Sequence, residues 1–323
     1  MGRKYLARKI LHAIATLIFV LVFNFFLFRV MPGDPVRILA RGSRSKLTEQ
    51  QMQQLAHELG LDLPLPQQLL VYTRETLTGN LGTSFISSRP VSTVVAERVW
   101  PTLLLVGSAT LLATFFGLWA GIKGAWKRGS AFDTSTLFGS LILYSAPEGW
   151  LGMLLIIIFV GTLHWFPAGG MSAENGATGL AGALGVLYHL FLPCLTLTLG
   201  YIGEYEIIMR SSLLEVMGED FITTARAKGV PDRLVRSRHA VPNALLPTLT
   251  LVFYSFGFIL GGAIIVEAVF SWPGLGQLTF EAIEAKDYPV IQAVFLLASA
   301  AVIAFNLAAD IMYGYLDPRI REA

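Results

Sequence analysis

Six stretches of this chain are long and apolar enough to cross a lipid bilayer, and that requirement leaves few folds open. A spanning helix needs roughly 20 mostly apolar residues. The stretches are Ile10–Val30, Pro101–Ile122, Thr134–Leu163, Val186–Ile208, Ala244–Val266 and Val290–Tyr313. Lipid offers no hydrogen bonds, so each must close its backbone polar groups internally as a helix. Composition agrees, with 54% of 323 residues hydrophobic, 14% charged and a mean hydropathy of +0.60. A soluble domain carries about 25% charged residues. The expected fold is an all-α polytopic membrane protein with six transmembrane helices. Pro147 near the middle of the third stretch predicts a kink or break. The first stretch has no small-residue cleavage site after it and is expected to stay as a helix rather than leave as a signal peptide.

Lysine and arginine in the short connections predict the orientation. Arg3, Lys4, Arg8 and Lys9 precede the first span; Lys123, Lys127 and Arg128 separate the second from the third. Arg210, Arg226, Lys228, Arg233, Arg236 and Arg238 lie between the fourth and fifth, and Arg319 and Arg321 follow the sixth. On the other side, 164–185 has no Lys or Arg and 268–289 only Lys286. The predicted layout has a cytoplasmic N-terminus (1–9), a cytoplasmic loop (211–243), an outer loop (267–289) and a cytoplasmic C-terminus (314–323). The first outer region, 31–100, holds seven basic residues but is long enough to translocate regardless. It also reads as folded. Leu47-Thr48-x-x-Gln51 has the form of a staple and capping box before a helical face of Met52, Leu55 and Leu59, and Gly60 stops it. Gln67–Thr78 offers a second helix ended by Gly79. This region is either a small cap or a docking surface for an external partner.

The polar island Asp220–Pro247 is more ordered than a topology-setting loop requires. Asp220 can cap a helix, Gly229 can end it left-handed, and Pro231-Asp232 can start another. Within it, Thr223-Thr224-Ala225-Arg226-Ala227-Lys228-Gly229 combines small residues at 224, 225 and 227 with basic ones. Two readings stand: a solvated loop whose charge fixes topology, or an amphipathic peg held by a partner or by anionic headgroups. A net charge of +2 gives no case for nucleic acid. The sequence has no G-x-x-x-x-G-K-[ST], no G-x-G-x-x-G after a strand and no H-E-x-x-H. Cys194, the single cysteine, sits in an apolar stretch as a structural thiol, and the five histidines show no ligand spacing.

The island resembles the "EAA" loop of ABC importer permeases, in which a glycine follows a small-residue triplet within a coupling helix. Other stretches are similar to the dipeptide/oligopeptide branch, which also includes nickel and glutathione permeases. They are Met31-Pro32-Gly33-Asp34-Pro35, Glu58-Leu59-Gly60-Leu61-Asp62, Gly79-Asn80-Leu81-Gly82-Thr83-Ser84 and Phe270-Ser271-Trp272-Pro273-Gly274-Leu275-Gly276. Asp287-Tyr288-Pro289 and the run from Asp310 to Arg319 complete the set, which covers nearly the whole chain in order. Thr223 stands where the family-name glutamate would be.

The resemblance implies a type I ABC importer permease fold with a folded extracytoplasmic scoop between the first two spans, in the bacterial inner membrane. It implies that residues 223–229 couple the pore to ATPase subunits, and that the scoop, around Glu58, Leu61 and Asn80, meets a substrate-binding protein. The partners implied are a homologous second permease, two ATPase subunits or one type used twice, the binding protein and the bilayer, with no nucleic acid. No cofactor is expected on this chain, and Mg-ATP belongs to the ATPases. The cargo implied is a dipeptide, longer peptide, glutathione, nickel chelate or haem.

Ionisable residues within spans default to functional candidates. Glu148 beside Pro147 is a candidate for the translocation path or a local cap. Glu204 and Glu206 lie beside Arg210 near the cytoplasmic end of the fourth span, with pairing there as the alternative to a path role. Asp310 is expected to make a helix–helix hydrogen bond. Gly257, Gly261, Gly262 and Ala263 favour close packing, within the chain or against a second permease. The competing function is an ion-driven secondary transporter, which calls for inverted repeats and midplane ions or broken helices; six spans without obvious self-similarity and few midplane charges argue against it. An intramembrane enzyme finds no nucleophile–base pair in the spans.

Overall fold

Helices make up nearly all the regular structure in the computed structural model, which describes residues 3–30, 63–171, 179–259 and 263–316. Among the described residues strand pairing is limited to one isolated bridge between Thr83 and Pro90. The chain divides into two compact units. One comprises Met1–Thr102, Leu260–Ile264 and Pro273–Ala323; the other comprises Leu103–Ile259 and Ile265–Trp272. Among the described residues five helices are long and apolar enough to cross a membrane, and a bent pair makes up to six.

In the first unit, α1 (Arg3–Val30) lies along α12 (Tyr288–Leu316). Lys9 Nζ meets Asp310 Oδ1 at 2.8 Å, so Asp310 ties two helices together. Further along, Asn24 donates to the Gln292 carbonyl and to the Tyr72 hydroxyl, each at 3.1 Å. Tyr72 sits on α2 (Leu65–Leu77), a helix entered through Pro64, and burial pushes its phenol above the ordinary range. The helix α3 (Val91–Trp126) begins ten residues before the predicted span at Pro101. Its early start follows from packing: Val91 and Val95 are buried with Leu275, Leu278 and Ala282 of α11 (Leu275–Ala285) and Val290 and Val294 of α12. The predicted outer loop 267–289 therefore contains a helix, and 31–100 includes the first turns of α3. Glu58, Leu61, the Met31–Pro35 stretch, Leu47–Gly60, Gly261, Gly262 and residues 317–323 lie outside the described residues.

In the second unit the third predicted span is not one helix. Helix α4 (Ala131–Ser145) and the stretch Glu148–Thr162 are bent by 102°. Pro147 is the cause: it forces Ala146 to extended backbone at ψ 131° and has no N–H to continue the ladder. After the break, α5 (Glu148–Leu155) widens into a π-helical turn, Ile156–Thr162. Helix α6 (Gly179–Val216) runs 38 residues through Pro193 and outlasts the predicted fourth span at both ends. The polar island becomes α7 (Asp220–Ala227), α8 (Asp232–Leu234) with a π-helical turn Val235–Ala240, and then α9 (Val241–Phe258). Helix α9 ends short of the predicted boundary at Val266, and α10 (Ile264–Val269) is separate.

Glycines set how closely the second unit packs. A Cβ on Gly121 of α3 would lie 2.8 Å from the Glu206 carbonyl oxygen, and one on Gly117 only 2.5 Å from Tyr205 Cβ. On α6, a Cβ at Gly203 would meet the Ser140 carbonyl of α4 at 2.5 Å. Gly117 and Gly121 are four residues apart, the small-xxx-small spacing that lets lipid-embedded helices approach backbone to backbone.

Candidate functional site

The elbow between α6 and α9 is built on one buried face. Ile222 and Ala225 of α7 enter a cluster with Ala125, Met209, Leu213, Val235, Ala240 and Ala244. The three-residue spacing of Ile222 and Ala225 puts both on the inner side of the helix. Ala225 thus seats the helix on its own chain, buried where Thr224 and Ala227 are exposed. Thr223, Thr224, Arg226, Ala227, Lys228 and Gly229 are exposed, and Phe221 joins them at 42%. Helix α7 has Glu219, not Asp220, at its N-cap, with no side-chain cap bond; Asp220 instead places a carboxylate in the first turn. At the other end Gly229 is left-handed at φ 75°, and Val230 N–H returns to the Ala225 carbonyl at 3.2 Å.

A tryptophan joins the elbow to α3. Trp126 Nε1–H donates to Asp232 Oδ2 at 2.9 Å. The guanidinium carbons of Arg226 and Arg236 lie 5.7 Å and 5.8 Å from its ring centre, and Arg226 Nε is 3.6 Å from Asp232 Oδ1. Trp126, left out of the sequence reading, is thus shared by α3, α7, α8 and the π turn after it.

The span carboxylates separate into different roles. Arg210 pairs with Asp133 through Nε–Oδ1 at 2.6 Å and Nη2–Oδ2 at 2.9 Å, not with its sequence neighbours Glu204 and Glu206. Asp133 also accepts Gly129 N–H at 2.9 Å. Glu206 is buried and accepts from Ser140 Oγ. Glu204 stays half-buried, as does Glu148 in the first turn of α5. Glu148 packs its side chain toward α6 at Gly200, where an added Cβ would stand 3.5 Å from Glu148 Cγ. Among the described residues no group of three or more His, Cys, Asp or Glu could hold a metal ion.

In the first unit two of the quoted motifs meet. Ser84 Oγ–H donates to Asp287 Oδ2 at 2.5 Å, Phe85 N–H to Oδ1 at 3.1 Å and Ile86 N–H to Oδ2 at 3.3 Å. Asp287 is 1% exposed, reached after the left-handed Lys286 that ends α11. Asn80 is engaged locally: its side chain donates to Glu75 Oε2 and accepts from Gly82 N–H at 3.2 Å.

Comparison with known proteins bears on this arrangement. Over 317 residues the chain is 36% identical to a Sinorhizobium fredii protein named a probable peptide ABC transporter permease, covering 98% of this chain and 99% of that one. It is 38% identical over 317 residues to the glutathione transport system permease protein GsiC of Escherichia coli, covering 98% of each. Among solved structures it resembles one described as an inward-facing conformation of the MetNI methionine ABC transporter. The TM-score is 0.54 at 19% identity, over 69% of this chain and 96% of that chain, a likeness of fold. These likenesses are to ABC importers and not to ion-driven secondary transporters. Two family models match in succession: the N-terminal one for binding-protein-dependent transport system membrane components over residues 2–106, and the inner membrane component itself over 113–322. With both models matched and the relatives covered end to end, the chain belongs to the binding-protein-dependent transport system inner membrane components. These are multi-pass ABC importer permeases that leave ATP hydrolysis to separate ATPase subunits and work with a substrate-binding protein.

Proposed function

We propose that this permease carries peptides or glutathione-like solutes, and that α7 with Gly229 is the element its ATPase partners move. One observation carries the coupling reading. A short amphipathic helix has its apolar side built into the chain's core, while Thr223, Thr224, Arg226, Ala227 and Lys228 stand in solvent. Such a helix cannot shift without shifting the residues beneath it. The cargo class rests on the peptide and glutathione permeases named above.

In this reading the bent α4–α5 pair counts as the sixth crossing, both termini and the elbow are cytoplasmic, and the 31–100 region forms the outer scoop. The basic residues of the N-terminus, the α3–α4 connection and the elbow support that orientation. A homologous second permease completes the pore, and each permease engages one of two ATPase subunits. The chain binds no cofactor of its own, and Mg-ATP sits on the ATPases. Glu148 and Glu204, half-buried on facing elements, are the candidate path residues.

The test is uptake of labelled glutathione and of a peptide mixture by cells carrying the full transporter with wild-type chain or Gly229→Glu. Loss of uptake with normal membrane insertion is expected. Undiminished uptake in the variant would remove the coupling role.

A further inference from the structure

We propose that Trp126 is a positioning residue of the transport cycle, locking the elbow to α3 so that motion at α7 reaches that helix. The proposal rests on the coupling reading of α7. Its own basis is the tryptophan's set of partners, which no sequence motif groups together. The indole N–H holds Asp232 at 2.9 Å, at the first residue of α8. The ring meets Arg226 of α7 on one contact and Arg236 of the π turn on another, at 5.7 Å and 5.8 Å. Both distances fall within the range of a cation–π attraction. Asp232 in turn approaches Arg226 Nε at 3.6 Å, so the anion and two cations are arranged around a single indole.

The placement is what gives this cluster a mechanical meaning. Trp126 is the last residue of α3, and its apolar body packs on the cluster that contains Ile222 and Ala225. One turn and more earlier, Gly121 and Gly117 press α3 against α6 with no room for a methyl group. Helix α3 is therefore gripped by α6 at Gly117 and Gly121 and by the elbow at its tip. A displacement of α7 is passed to α3 through the indole rather than through the α3–α4 connection. Packed helices transmit such shifts because their interfaces hold discrete arrangements.

The polar contacts at this tip are exposed, with Asp232 at 62% and Arg226 at 45% side-chain exposure, so they add little to stability. A network weak in stability but joining four elements is suited to alignment.

The experiment uses the full transporter, with its second permease, ATPase subunits and binding protein, reconstituted in liposomes and supplied with glutathione or a peptide mixture. Basal Mg-ATP hydrolysis and its stimulation by the binding protein are read for wild type, Trp126→Leu, Trp126→Phe and Asp232→Asn. Allosteric coupling is typically worth a factor of about 5–150, so Trp126→Leu should lose about fivefold or more of the stimulation. Basal hydrolysis and subunit assembly should hold. Trp126→Phe, which keeps a ring and loses the N–H, and Asp232→Asn, which alters only an exposed group, should fall between. Wild-type stimulation in all three variants overturns the proposal, and so does a proportional fall of basal and stimulated rates, which marks a structural role. Gly229→Glu separates the two readings. If that variant keeps full stimulation, the coupling role of α7 fails; if it alone loses stimulation, only the role of Trp126 fails.

Discussion

Arg210 and Asp133 form a two-pronged ion pair between α6 and the first turn of α4, with side chains 19% and 5% exposed. The same carboxylate accepts Gly129 N–H at the turn that precedes α4. One aspartate thus fixes the start of the broken span against the long helix that follows it.

Removing one partner leaves the other charge poorly solvated. Asp133→Ala is expected to cost about 3 kcal/mol, since breaking such a pair exposes an uncompensated charge to a low-dielectric site. A lower melting temperature in detergent and reduced membrane yield are the readouts. The double variant Asp133→Ala with Arg210→Met should recover part of the loss, because neither charge then needs a partner. Equal melting of wild type and Asp133→Ala would refute the pair's importance.

Asp287 gathers three donors from Ser84, Phe85 and Ile86 with almost no exposure. Asp287→Ala strands those donors and is expected to cost about 2 kcal/mol or more. Limited proteolysis checks it: cleavage between α2 and α3 should rise. Ser84→Ala removes one bond and should show a smaller effect of the same sign.

Gly229 separates backbone need from space. Its φ is 75°, yet nothing lies within 4 Å of an added Cβ. Gly229→Ala is therefore expected to cost only about 1 kcal/mol, from the left-handed backbone alone, and Gly229→Asn less. Uptake assays should rank Asn above Ala. The reverse order would mean that side-chain size, not conformation, decides.

Two glycines flanking Ser140 make an opposed pair. At Gly203 an added Cβ would overlap the Ser140 carbonyl, while at Gly139 nothing lies within 4 Å. Gly203→Ala should lower the melting temperature markedly by prising α4 from α6. Gly139→Ala should raise stability by up to about 1 kcal/mol, the gain of alanine over glycine within a helix.

Hydropathy finds long apolar stretches because a bilayer demands length and little else. It erred where tertiary packing decides. Val91 and Val95 extend α3 outward since α11 covers them, and nothing local to residues 91–100 announces that cover. Pro147 announced a break, but not one of 102°. The island's left-handed Gly229 was readable from residue type, whereas the burial of Ala225 depended on α6 and the turn after α8. Arg210 looked to Glu204 and Glu206 because they are near in sequence. Its actual partner is 77 positions away, while Glu206, four residues earlier on the same helical face, accepts from Ser140. Ser84 and Asp287 lie in separate motifs, with no local cue that they meet.

The break at Ala146–Pro147 also bears on how the chain enters the bilayer during synthesis. Helix α4 has 15 residues and so is only about 22 Å long, short of a hydrocarbon core about 30 Å thick. Neither arm of the bend is a complete insertion signal by itself. The residues that receive α4, Gly203 and Arg210 of α6, are synthesised after both arms, so the final packing of the bend depends on a later segment.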